Sequence, residues 1–312
     1  MTDTVSIVGA GLMGRGIALQ FALHGFEVRL NDVSREALDA AMDKICKDLN
    51  LLGDLDIASH ADITEVPHRI STDTSLEHSV VGADLVIEAV YEDLELKRRV
   101  FKELDRLTPD HAILASNTSS FMCSQIATDV SSPDRALVAN WWNPPYLLPL
   151  VEVVPGPDTS DKMTKVLCDL LAKAGKSPVV LSKESLGFVG NRLQFALLRE
   201  AISIVENGVA TAEDVDRVVT SSFGRRLAVA GPFKVFDIAG WDTILHIIKE
   251  LFPAIESSPD VSTTVSKMVE GGDLGVKSGT GFYTWDDQSA DNVTNRIGKA
   301  LAVLQSMSED DK

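Results

Sequence analysis

Positive charge is what this sequence has least of. Twenty-nine lysines and arginines stand against 46 aspartates and glutamates in 312 residues, a formal net charge of −17. Nucleic acids and anionic membrane surfaces both demand a basic face, so neither is expected as a partner. Any anionic ligand must be held by local donors rather than drawn in by the overall field. Cysteine is scarce too: Cys46, Cys123 and Cys168 are odd in number and lack CxxC or metal-ligand spacing, which fits reduced thiols, a cytoplasmic setting and no metal site. No apolar run reaches the length of a bilayer. The first strand-like stretch begins near Thr4, so no cleavable leader is expected. Internal repeats and low-complexity linkers are also missing.

What is present is ordinary globular material, 45% hydrophobic and 24% charged, in a chain long enough for two domains with separate cores. Strand-like runs alternate with helical periodicity as far as Val179–Leu181. Beyond Lys183-Glu184-Ser185-Leu186-Gly187 only helical patterns follow. The expected class is α/β, a Rossmann-type, mostly parallel sheet domain over 1–185 and an all-helical C-terminal domain over 186–312.

The apolar run Val5–Val8 leads into Gly9-Ala10-Gly11-Leu12-Met13-Gly14 and then a helix-like stretch through Ile17, Leu19, Phe21 and Leu23. Strand, glycine turn and helix in that order form the dinucleotide fingerprint. Gly9 permits the tight turn, Gly11 lets a pyrophosphate approach the backbone, and Gly14 lets helix pack on strand. The second strand, from Glu27, closes on Asp32, about twenty residues past the glycines as the fingerprint requires. A carboxylate there binds ribose hydroxyls and repels a 2′-phosphate, so the expected cofactor is NAD. Arg35 lies three residues beyond and reads as helix surface. Ser34 is placed to cap a helix running to about Leu51.

Further along, Ala83–Val90 reads as a buried parallel strand and Ala112–Ser116 as another. Val138–Asn140 ends a strand. Pro144 and Pro145, which cannot donate to a ladder, make a turn, and Val151–Val154 resumes as a strand with Glu152 alone among apolar neighbours.

These motifs together resemble the 3-hydroxyacyl-CoA dehydrogenase superfamily, over nearly the whole chain from Thr4 to Trp285, and most closely its L-gulonate 3-dehydrogenase, lambda-crystallin and carnitine dehydrogenase branch. In that family a His-x-x-Asn-Pro turn is followed, twelve residues after the histidine, by a glutamate that orients it as general base. Asn143, Pro144 and Glu152 match; the histidine position holds Asn140. The resemblance also implies Glu92 and Lys97 on the nicotinamide-side ribose, Asn117 near the nicotinamide and Ser119 on the substrate oxygen. Asn191, within Gly187-Phe188-Val189-Gly190-Asn191-Arg192, matches the family's asparagine against the substrate carbonyl. Arg225 and Arg226, in a loop longer than CoA-specific members carry, are candidates for a free carboxylate, which a guanidinium can grip with two hydrogen bonds.

The implied activity is NAD-dependent oxidation of the 3-hydroxyl of a small 3-hydroxy acid, by a homodimer. An amide has no usable basicity near neutral pH, so Asn140 predicts slow turnover. His24, His60, His68, His78, His111 and His246 all lie outside motifs near the turn. An acyl-CoA thioester is the alternative substrate, although Gly53–Thr72 carries Asp54, Asp56 and Asp62 and only Arg69 as a cation, where CoA-specific relatives tend to be lysine-rich. An NAD-binding sensor or crystallin-like protein with little catalysis is the competing class. Trp141, Trp142 and Tyr146 read as core aromatics, with a cage for a quaternary ammonium as the other reading.

Overall fold

A computed structural model describes residues 3–309. The chain forms two compact units, Met1–Phe188 and Val189–Lys312.

The first unit is built on one eight-stranded sheet: β1 (Thr4–Val8), β2 (Glu27–Asn31), β3 (Ile70–Asp73), β4 (Leu85–Glu88), β5 (Ile113–Ser116), β6 (Ala136–Trp141), β7 (Leu150–Pro155) and β8 (Ser177–Val180). Their spatial order is β3-β2-β1-β4-β5-β6-β7-β8. The first six strands pair in parallel, in the doubly wound order of a dinucleotide-binding sheet. Then β7 pairs with β6 antiparallel, and β8 follows β7 in parallel. That reversal matters for chemistry, because it sets β7 beside the C-terminal end of β6 with only a short turn between them.

Both faces of the central strands are covered, so β4 and β5 are buried at every position. On one face Val8, Val86, Leu114, Val138 and Val154 pack with Phe101, Leu104 and Phe188. Phe101 and Leu104 come from the helix Leu94–Leu107, whose start is capped by Asp93 accepting from the Leu96 amide. The helix Arg35–Asp54 is capped by Ser34 as expected and runs three residues past Leu51. One buried cation fixes the entry to β6. Arg135 is 2% exposed, pairs with Asp105 at 2.9 Å, and donates to the carbonyls of Asp105 and Pro109. Burial tends to raise the Asp105 pKa, but hydrogen bonds from Arg135 and Ser131 outweigh it and hold the carboxyl below its usual range.

The second unit is helical, with Gly190–Glu206, Ala212–Ser221, Phe223–Leu227, Pro232–Ala239, Trp241–Leu251, Thr263–Gly271 and Asp287–Glu309. Its apolar side chains are largely uncovered: Phe195 is 60% exposed, Phe233 76% and Ile238 86%. No helix among the described residues is long and apolar enough to cross a membrane.

Candidate active site

The glycine turn at the end of β1 shows three different uses of a missing side chain. Gly9 has φ +107°, and a Cβ there would lie 2.5 Å from the Ala89 carbonyl oxygen. A Cβ on Gly14 would meet the Gly9 carbonyl oxygen at 1.8 Å. Both glycines are therefore demanded by the fold itself. At Gly11 an added Cβ would meet nothing within 4 Å. This residue stands at the N-cap of the helix Leu12–Leu23, where unpaired amides and the positive end of the helix dipole favour an anionic group. Fold requirements leave Gly11 free, so the open space above it fits the approach of a pyrophosphate.

Asp32, just past β2, accepts from the Ala10 amide at 2.9 Å and from the Ser34 amide at 3.1 Å. A carboxylate has about four acceptor positions, so Asp32 braces the glycine turn and keeps capacity for a ribose hydroxyl. Arg35 points elsewhere, its guanidinium donating to Thr72 at 3.1 Å. Acid, bare backbone and helix terminus thus fit a dinucleotide without a 2′-phosphate.

At the C-terminal ends of β4 and β5 lies a buried charge network. Glu88 and Lys97 are both fully buried, with Lys97 Nζ 2.8 Å from one Glu88 oxygen and 3.2 Å from Glu92. Ser116 and the Val90 amide also donate to Glu88, at 2.6 and 2.7 Å. Desolvation pushes the Glu88 carboxyl up, while Lys97, Ser116 and the Val90 amide pull the other way. Glu92 is exposed at the rim and takes the Thr118 hydroxyl as a further donor. Lys97 is thus turned inward under Glu92, where it fixes the carboxylate of the rim residue. Asn117 accepts from the Trp141 amide at 3.1 Å, tying the β5 end to β6. Ser119 is exposed.

Asn140 and Glu152 are direct partners in the β6–β7 register. A twelve-residue spacing puts them opposite each other because the hairpin turns between them, and their side chains share one face. Asn140 Nδ2 donates to Glu152 Oε2 at 2.8 Å, with both residues buried. A carboxylate can only accept, so the amide must present its NH2 to Glu152, and its Oδ1 faces away. Asn143 lies exposed on the turn, ahead of a cis bond to Pro144.

Trp141 is 4% exposed, tilted against Phe21 at 5.7 Å, and its ring already carries the Lys176 ammonium at 5.5 Å. It is a core aromatic, as the commoner reading expected, and its cation is internal. Tyr146 faces Asp48, which pairs with Arg15.

Three of the expected site residues belong to the second unit. Asn191 is half-buried in the first turn of Gly190–Glu206. Arg225 and Arg226 are exposed on the short helix Phe223–Leu227, and among the described residues neither guanidinium is paired with a carboxylate. No cluster of His, Cys, Asp or Glu among the described residues could hold a metal ion. Sequence reasoning passed over Lys176, whose one signal was a lysine entering an otherwise apolar strand.

A doubly wound sheet with a bare glycine turn, an acid closing β2 and a polar pair on β6–β7 defines an NAD-dependent oxidoreductase. Comparison with known proteins gives the family. The family description "3-hydroxyacyl-CoA dehydrogenase, NAD binding domain" matches residues 4–185, and the corresponding C-terminal domain matches 187–285. The chain belongs to the 3-hydroxyacyl-CoA dehydrogenase family. It is 34% identical to a 5-formyl-3-hydroxy-2-methylpyridine 4-carboxylate 5-dehydrogenase of Mesorhizobium japonicum, over 97% of either chain. A probable 3-hydroxybutyryl-CoA dehydrogenase of Bacillus subtilis is 36% identical over 92% of this chain and 98% of its own. Among solved structures, one of a 5-formyl-3-hydroxy-2-methylpyridine 4-carboxylic acid 5-dehydrogenase, described as an NAD+ dependent dismutase, superposes with a TM-score of 0.91 at 31% identity, covering 99% of both chains.

Proposed function

We propose that this protein oxidises the hydroxyl-bearing carbon of a small free hydroxy acid, with turnover held down by Asn140. The observation that carries the reading is the buried hydrogen bond between Asn140 and Glu152. It reproduces the orienting half of a base–carboxylate pair without a group that can keep the proton. Bound NAD supplies the hydride acceptor. Gly9, Gly11, Gly14 and Asp32 hold the dinucleotide, and Glu92, Lys97 and Asn117 serve its nicotinamide end. Asn140 Oδ1 accepts the substrate hydroxyl, Ser119 donates to the same oxygen, and Asn143 and Asn191 orient the substrate. The proton then has to leave by way of Glu152 or solvent, which is slow.

A free acid is favoured over a thioester on two grounds. The segment 53–72 has Arg69 as its only lysine or arginine, and one amino group of Arg69 donates to the Ala22 carbonyl at 3.0 Å, so the segment offers little positive charge to CoA phosphates. Arg225 and Arg226 meanwhile stay available for a carboxylate. The Mesorhizobium relative, matched end to end, is named for a small pyridine carboxylate. The uncovered apolar side chains of the helical unit, Phe195, Phe233 and Ile238 among them, suit a second copy of the chain and hence a homodimer. Three unpaired cysteines suit a cytoplasmic setting.

The test is an NAD-reduction screen of the Asn140→His variant against L-gulonate, carnitine, 3-hydroxybutyrate, the pyridine carboxylate and 3-hydroxybutyryl-CoA. The expected result is highest kcat/KM on a free acid. Higher activity on the thioester than on every free acid overturns the substrate assignment, and tight NADH binding with no turnover in either variant assigns the protein to the binding class instead.

A further inference from the structure

The turn between Asn140 and Glu152 has to hold a fixed shape, yet its own backbone is poorly equipped for that. Pro144 and Pro145 offer no N–H, and the turn's internal bonds, Leu147 and Leu148 amides to the Pro144 carbonyl at 3.1 and 3.0 Å, leave the carbonyls of Pro145 and Leu148 pointing inward. Buried carbonyls need a donor. Lys176 supplies it: Nζ donates to Pro145 at 2.5 Å and to Leu148 at 3.2 Å while resting over the Trp141 ring. The lysine is 7% exposed, and its backbone is fixed on both sides. Its own amide donates to the Leu171 carbonyl at 2.9 Å, and the next amide, of Ser177, donates to Pro149 at 2.8 Å. Ahead of it, Gln20 holds the Ala174 carbonyl at 2.7 Å.

We propose that Lys176 is a positioning residue for the reaction: by gripping two carbonyls of the 144–148 turn and the ring next to Asn140, it sets where Asn143 stands and keeps Asn140 in register with Glu152. On its other side the turn is braced by the Pro145 ring lying against Gly16 and by Tyr146 against Asp48. A Cβ on Gly16 would come within 2.9 Å of Pro145 Cδ, so the cofactor-binding helix and the turn are in close contact there. Lys176, the residue before β8, closes the clamp. Among the described residues no carboxylate pairs with this ammonium. Burial alone acts on the ammonium and pushes it down to about 7, an expense that a surface lysine would not carry and that two buried carbonyls and an aromatic face offset only in part.

The catalytic part of this inference rests on the dehydrogenase reading above, whereas the clamp itself does not, and the experiment separates them. Lys176→Met keeps the apolar stem and deletes the donor. It is compared with the unaltered chain, and again in the Asn140→His background where rates are highest. Amide hydrogen exchange is measured at 146–150 and, as an internal reference, at 5–8 in β1. Expected are at least tenfold faster exchange at 146–150 with β1 unchanged, and a kcat at least tenfold lower at unaltered NADH affinity; Lys176→Gln, which keeps one donor, recovers part of both. Unchanged exchange overturns the clamp. Faster exchange with kcat within twofold overturns the positioning role and leaves a merely structural lysine. If no variant turns over any substrate, the dehydrogenase reading fails, and the exchange data still decide the clamp. Should Lys176→Met not fold, Lys176→Gln, shorter and uncharged, is read in its place: faster exchange at 146–150 with β1 unchanged supports the clamp, and exchange at 146–150 equal to that of the unaltered chain overturns it.

Discussion

Asn140 and Glu152 face each other across the β6–β7 pair, joined by a 2.8 Å hydrogen bond in which the amide is the donor. Ordinarily a proton acceptor oriented by a carboxylate is worth about 10²–10⁴-fold in rate. The carboxylate is in place here, and the acceptor is an amide.

Restoring a titratable ring should therefore restore rate more than binding. Asn140→His is expected to raise kcat by about 10²–10⁴-fold with NADH affinity within a factor of two or three, measured as NADH formation under saturating substrate and by NADH fluorescence titration. Equal turnover of the two proteins on the same acid would show that position 140 does not carry the proton.

Glu152 plays different parts in the two backgrounds. In the Asn140→His protein it should stabilise the imidazolium, so adding Glu152→Gln lowers the histidine pKa and moves the acidic limb of the kcat/KM profile to lower pH, with a drop in kcat. With Asn140 in place, the same change turns a hydrogen bond to a charged acceptor, worth about 1.5–3 kcal/mol, into a neutral one worth about 0.5–1.5 kcal/mol, so about 1 kcal/mol of stability is lost. Residual turnover should collapse with it if Glu152 passes the proton to a water. An unchanged residual rate removes Glu152 from that route.

Much of this arrangement could be read in the sequence because it rests on local constraints. The glycine turn, the acid after β2 and the Ser34 cap each follow from short-range geometry, and the alternation of strands with helices marked the parallel sheet. Elsewhere the pattern was too weak or too distant. Strand β3 is only Ile70–Asp73 with a single large apolar side chain, so nothing in its composition set it apart from the polar segment around it; pairing with β2 makes it a strand. Strand β4 is half the length of the apolar run Ala83–Val90, since Ala83 closes a turn onto Val80, and past Glu88 the Ala89 amide goes to the Val8 carbonyl and the Val90 amide to the Glu88 carboxylate. The inward turn of Lys97 and the grip of Lys176 on Pro145 depend on contacts across 9 and 31 residues, which composition does not display.

The glycine turn offers a clean separation of fold from binding. Gly14→Ala places a Cβ at 1.8 Å from a backbone oxygen, so the β1 junction must deform and a loss of several kcal/mol is expected, as for other overpacked core sites. Gly11→Val puts its Cβ in open space but exchanges a tolerated N-cap residue for a poor one, so a loss of about 1 kcal/mol, roughly 2–4 °C in melting temperature, is expected. NADH affinity should nevertheless fall at least tenfold, because the side chain fills the approach to the helix N-terminus. Calorimetry and NADH titration of the two variants check the contrast; Gly11→Val binding NADH normally would place the pyrophosphate elsewhere.

The buried ion pair under the rim should show its role through pH. Lys97→Met leaves Glu88 without its cation in a fully buried site, and an uncompensated buried charge costs about 3–5 kcal/mol. Glu88 can escape that cost by taking a proton. Its pKa is already pushed above the ordinary 4.5 by desolvation and rises further once the ammonium is gone. With the folded form holding the proton at pH values where the unfolded chain has released it, stability falls as pH climbs from the unfolded value through the folded one. The variant's deficit relative to the unaltered protein should therefore be smaller at pH 5 than at pH 8 and grow as pH rises above the ordinary carboxyl range, read from urea unfolding at both pH values. A deficit independent of pH would mean that Lys97 acts through packing alone, with its charge on Glu88 contributing nothing.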